Sequence, residues 1–195
     1  MKNHVVLTFV VLTGLFAACN RTYNPKPKVF NRIDLPVATY RALPDSLPYQ
    51  FNISDQVKIL QDSSWIAERY WIDLYYPEFQ ANVQITYKSV DRDPEKLREY
   101  LDDAYRLTSK HQIKAAGIRE EIMMTPSGKH VSFASLSGEV PSQFQFVTTD
   151  STDHFLRGAL YFRTATQNDS LAPIIEYLKQ DMAIMANTLE WKSNF

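Results

Sequence analysis

The chain has 195 residues and a formal net charge of −1, from 21 basic and 22 acidic side chains. Apolar residues make up 45% and charged residues 22%, a globular composition that excludes wholesale disorder. The near-neutral balance gives no global attraction for nucleic acid. A single cysteine allows neither an internal disulfide nor a Cys-built zinc site.

In chain order, Met1-Lys2-Asn3-His4 is a short basic start and Val5 to Phe16 is an uncharged apolar run. This is too short to span a hydrocarbon core of ~30 Å comfortably. With small residues after it, it reads as a secretory signal peptide covering residues 1–18. Phe16-Ala17-Ala18-Cys19 looks like a bacterial lipobox, in which the cysteine is diacylated and becomes the new N-terminus. The usual aliphatic residue three places before the cysteine is Phe16 here, a mild departure. The alternative is an ordinary cleaved signal whose cysteine is incidental. Against it, the chain's one cysteine stands where a lipobox requires it. Two or more acyl chains anchor a protein stably. Asn20 is not the inner-membrane retention aspartate, and no acidic run follows Cys19. By analogy this points to the periplasmic face of the outer membrane.

Residues 19–48 read as the lipidated cysteine and a proline-rich tether, with Pro25, Pro27, Pro36, Pro44 and Pro48. Within it Arg32 to Leu35 is a candidate short strand. A single α+β domain is expected over 49–195. Tyr49 to Ile53 alternates apolar and polar, as a half-buried strand does, with Val57 to Leu60 as its expected partner. Trp71 to Tyr76 and the alternation of Val83, Ile85 and Tyr87 make two strands joined by a hairpin at Pro77 to Gln80. Asp93-Pro94-Glu95 is a helix start. Leu97, Tyr100, Leu101, Ala104, Tyr105, Thr108 and His111 then recur at spacings of three and four, an amphipathic helix of about 17 residues. Ile118 to Met124, Val131 to Leu136, Gln143 to Thr148 and Phe155 to Phe162 follow as strands. The last is nearly apolar on both faces and is expected to be central. Asn168-Asp169-Ser170 caps a final helix with an apolar stripe through Leu171, Ile174, Ile175, Leu178, Met182, Met185 and Leu189. Trp191 is expected to close the core. The order predicts an α+β fold, a mainly antiparallel sheet covered by two amphipathic helices.

Chemistry is sparse. Asp150-Ser151-Thr152-Asp153-His154 is the one cluster of acid, hydroxyl and imidazole. Neighbours within one turn rarely reach triad geometry, and no nucleophile elbow is present. The expected reading is a hairpin loop whose side chains satisfy turn amides, with no catalytic residues. No His-Glu-x-x-His zinc signature and no phosphate-cradling glycine loop occurs, so neither metal nor cofactor is expected. Tyr70, Trp71, Tyr75 and Tyr76 make either a ligand- or protein-binding face or ordinary sheet core.

The run Asp150-Ser151-Thr152-Asp153-His154-Phe155-Leu156-Arg157-Gly158-Ala159-Leu160-Tyr161-Phe162 resembles the gliding-motility lipoprotein GldD family. Supporting stretches are Pro25 to Lys28, Arg32 to Pro36, Lys110-His111, Gln143-Phe144, Asp169 to Pro173 and Trp191-Lys192. The resemblance implies a lipid-anchored envelope protein of a gliding Gram-negative bacterium. It would be required for movement over surfaces and linked to the type IX secretion apparatus, with other components of that machinery as partners. It implies lipid attachment at Cys19 and carries over no catalytic residue, and the role of the marker run is unknown. The element order also looks like the PsbP/Mog1 architecture, by analogy alone. Two further readings are an envelope hydrolase using the Asp150 to His154 cluster and a small-ligand binder using the Trp71 face.

Overall fold

The computed structural model describes residues 33–110, 115–163 and 168–192, the first three of the last span by backbone only. The expected signal peptide, Cys19 and the first part of the tether lie outside the described residues, as does His111. Of the candidate strand Arg32 to Leu35, the described residues 33–35 are not a strand.

Eleven strands and two helices are formed by the described residues. Three short strands come first: β1 (Tyr40–Ala42), β2 (Tyr49–Gln50) and β3 (Asn52–Ser54). Next come β4 (Lys58–Gln61), β5 (Ile72–Tyr76), β6 (Ala81–Ser89) and helix α1 (Pro94–Ser109). Then follow β7 (Ala115–Met124), β8 (His130–Gly138), β9 (Ser142–Thr149), β10 (His154–Phe162), helix α2 (Asn168–Asn187) and β11 (Glu190–Trp191). A seven-stranded sheet runs in the order β4-β5-β6-β10-β9-β8-β7, and every pairing in it is antiparallel. The α+β class is therefore as expected, and so is the central place of β10. That strand pairs with β6 from Ser89↔His154 to Ala81↔Phe162 and with β9 on its other side.

Alternation along the central strands sorts residues between two faces. On one face lie Val83, Ile85, Phe146, Leu156 and Leu160, all buried against the stripe of α2. Leu178, Met182 and Met185 of that stripe have no exposed surface. Its spacing, legible in the sequence, puts these side chains along one side of the helix. The other face meets α1, where Ala104 packs with Val90 and Phe155. Asp93 caps α1, its Oδ1 accepting the Glu95 N–H at 2.9 Å and the Lys96 N–H at 3.3 Å. The α1 stripe is covered only in part. Leu101 and Tyr105 are exposed, the latter at 65%.

Three expectations are corrected. Val57 to Leu60 does not pair with Tyr49 to Ile53; β4 pairs with β5, from Lys58↔Tyr75 to Gln61↔Ile72. The expected strand Tyr49 to Ile53 is instead divided, β2 pairing with β11 and β3 with β1. The fold also takes in more chain than the expected 49–195. Leu43 and Leu47 are buried in the main core, and Tyr40 donates to Asp181 on α2 at 2.8 Å. Prolines at 36, 44 and 48 mark this stretch as tether by local signals, whereas its burial depends on α2 from the far end of the chain.

Candidate functional site

The β9–β10 turn carries the start of the marker run. Asp150 Oδ1 accepts three backbone N–H groups, from Thr152 at 3.0 Å, Asp153 at 2.9 Å and His154 at 2.9 Å. Ser151 adopts a left-handed φ of 66° to make this possible, and its N–H donates to Thr149 Oγ1 at 2.9 Å. The tightened turn grips the entrance to α1. Val90 N–H donates to the Asp153 carbonyl at 2.9 Å and Arg92 N–H to the Thr152 carbonyl at 2.7 Å. Arg92 Nε also lies 3.4 Å from the Asp153 carboxylate. The turn thus positions the helix that roofs one face of the sheet.

Burial alone would raise the Asp150 carboxyl, but the three N–H groups and the nearby His154 hold it below its ordinary range. A carboxyl held low in the folded chain adds stability above its unfolded value, lost as pH falls through the folded one. Replacing Asp150 with alanine should therefore cost about 2 kcal/mol near neutral pH, as capping losses do. The difference from the parent should shrink in acid. Urea unfolding of both proteins across the acidic range measures this; a constant gap would contradict it.

His154 does not face Ser151. Its Nδ1 lies 2.7 Å from the Tyr87 hydroxyl, and its ring stacks on Trp191 with centroids 4.9 Å apart. Burial, then the carboxylates of Asp150, Asp91 and Asp153 along with Tyr70, push Tyr87 up to about 12. The Asp150 carboxylate serves backbone amides and the imidazole serves an aromatic cluster. The five residues are gathered as a structural turn.

The rest of the run splits by alternation. Gly158 and Phe162 face the α2 core with His154. Phe155, Arg157 and Tyr161 face the other way and line a groove between α1, the sheet and the β4–β5 loop. Its volume is about 410 Å³, in the range of small-molecule sites. Trp71 and Lys88 form one wall and Tyr100 of α1 the roof. Trp71 Nε1 is fixed by donating to the Tyr87 carbonyl at 2.8 Å. Lys88 Nζ lies 4.8 Å from the Tyr100 ring centroid and 3.0 Å from Glu68 Oε1. The aromatic segment divides between the core and the groove lining. Tyr76 is buried core and Tyr70 packs against that core, while Trp71 lines the groove.

Arg157 is the unusual member. It is 7% exposed, in the middle of a central strand. One of its terminal nitrogens donates to Gln145 Oε1 at 2.6 Å. The Thr108 hydroxyl shares its proton between that oxygen, at 3.1 Å, and the Ala104 carbonyl, at 3.0 Å. Arg157 Nε and Gln145 Nε2 are buried without partners among the described residues. No described carboxylate forms an ion pair with Arg157. Lys88, Tyr100, Thr108 and Gln145 escaped sequence reasoning as site residues. One signal was present, a lone charge inside the otherwise apolar β10 sequence.

A family model described as the gliding motility lipoprotein GldD matches residues 20–191. No curated protein matches the chain. Among solved structures, the chain is similar to the solution structure of cyanobacterial PsbP (CyanoP) from Synechocystis sp. PCC 6803. The two are 9% identical, with 83% of this chain and 97% of that one covered and a TM-score of 0.47.

Proposed function

The chain belongs to the gliding motility lipoprotein GldD family, and we propose that it acts as a non-enzymatic accessory or assembly component of the gliding and type IX secretion machinery. The family match over residues 20–191 carries this reading. The matched span begins one residue after Cys19, where acylation would create the mature N-terminus. The lipid would hold the domain on the periplasmic face of the outer membrane, as Asn20 and the lack of a following acidic run favour. Its partners there would be other proteins of the machinery. A structural use of the Asp150 to His154 turn supports a non-enzymatic role, since the Asp150 Oδ1 atom serves three amides.

A Cys19→Ser variant should lose its palmitate label, leave the membrane fraction and abolish gliding. One removed anchor of two or more acyl chains converts stable attachment to none. A variant still labelled and still membrane-bound would overturn the lipid assignment. Crosslinking in intact cells should then capture gliding or secretion proteins with the parent chain. The double variant Ser151→Ala, His154→Ala should keep motility. Loss of gliding by that variant, folded and membrane-bound, would favour the hydrolase instead.

A further inference from the structure

We propose that the groove beneath α1 binds a small organic carboxylate with an apolar body, held by Arg157 and stacked among Trp71, Tyr100 and Phe155. A buried guanidinium costs several kcal/mol in desolvation unless a partner offsets it. Proteins carry such a group where something else supplies the charge. Arg157 is more than nine-tenths buried, uses one hydrogen bond of five donors' capacity and has no carboxylate partner among the described residues. Its neighbour Gln145 orients it from behind, with Thr108 fixing that amide oxygen. Arg157 lines the groove together with Tyr161.

The charge count selects a monoanion. Lys88 already holds Glu68, and Asp103 on α1 holds Arg106 at 2.7 Å. Among the described residues this leaves Arg157 as the one uncompensated charge in the lining. A planar fork of N–H donors suits a carboxylate in bidentate contact. A phosphate dianion would ask for a second free cation. The aromatic lining and the volume of about 410 Å³ suit an apolar body of dipeptide size. The site is independent of lipid anchoring and of the identity of the motility partners.

Calorimetric titration of the full chain in detergent with N-acetyl-phenylalanyl-alanine tests this, with the carboxamide of the same dipeptide and inorganic phosphate as the other arms. The free acid should bind with a dissociation constant below about 1 mM, and the amide at least about tenfold more weakly. Arg157→Met should lose the preference for the acid while its melting temperature stays equal to or above the parent's, because a desolvated charge is removed. A residue needed only for folding would do the reverse. Trp71→Ala, on the groove wall, should weaken the acid severalfold and keeps the test open if Arg157→Met does not fold. Equal binding of acid and amide, no binding of the acid at about 10 mM, or full binding by Arg157→Met would each overturn the proposal. Tighter binding of phosphate than of the acid would overturn the carboxylate assignment.

Discussion

Replacing Gly158 with alanine is expected to destabilise the protein by about 3 kcal/mol and to lower its melting temperature by roughly 10 °C. A Cβ at this position would stand 2.2 Å from Phe146 Cε1, 2.7 Å from Cζ and 2.9 Å from Cδ1. Phe146 sits directly across from Gly158 in the β9–β10 pairing, and its ring covers the bare backbone of the central strand. The ring is 1% exposed and is in turn packed on Phe133, with centroids 6.1 Å apart. It has little free volume into which to retreat. Left-handed backbone is not the reason for glycine here; the close approach of the ring is. Phe146→Ala alone should cost about 4 kcal/mol through the cavity it opens. The double variant should cost clearly less than the sum, with a coupling of about 2 kcal/mol, because each change accommodates the other. Urea unfolding of the four proteins measures this, and additive costs would dismiss the account. The role of Gly158 in the marker run is then packing, a different role from that of Arg157 one residue before it.

The second large effect lies at Asp181. This residue of α2 is 1% exposed and accepts the hydroxyls of Tyr40 at 2.8 Å and Tyr76 at 3.0 Å. Asp181→Ala should cost about 3 kcal/mol, since it strands the buried Tyr76 hydroxyl and frees β1 from α2. Burial raises the Asp181 carboxyl above its ordinary value, while the two tyrosine hydroxyls act to lower it. The sign is opposite to that at Asp150. A carboxyl raised in the folded chain binds its proton more tightly there than when unfolded. Its charge therefore removes stability as pH rises from the unfolded value of about 3.9 through the folded one. In Asp181→Asn this loss should vanish, so the variant should gain on the parent as pH rises across that window. Unfolding curves from pH 4 upward, about half a unit apart, check the sign. A parent that becomes steadily more stable relative to Asp181→Asn would refute it.

These residues also show which features could be read in advance. The α2 stripe from Leu171 to Met185 was legible because helical spacing is a local property, and its buried residues lie where the spacing puts them; Leu189, expected to continue it, is buried just past the helix end. The Asp93 cap was legible for the same reason. The Asp150 turn was legible as a turn, because an Asx side chain bonds amides two to four residues on. The division of β10 into a core face and a groove face follows from strand alternation. The chemical weight of that division was not legible. Whether Arg157 meets a carboxylate, water or Gln145 depends on β9 and α1.

By itself the sequence determined what short-range pattern can encode. It specified the address at Cys19 as an expectation, the helix stripes, most strand segments, the family and the α+β class. Tertiary structure alone decided the partner of β4, the burial of Leu43 and Leu47, and the Tyr40–Asp181 bond, whose ends are 141 residues apart. It also decided that three marker residues line a groove while others fill the core. Each of these depends on which surfaces meet when α2 covers one face of the sheet and α1 part of the other. Such contacts carry no local signature, because their free energy comes from burying side chains that are distant in the chain.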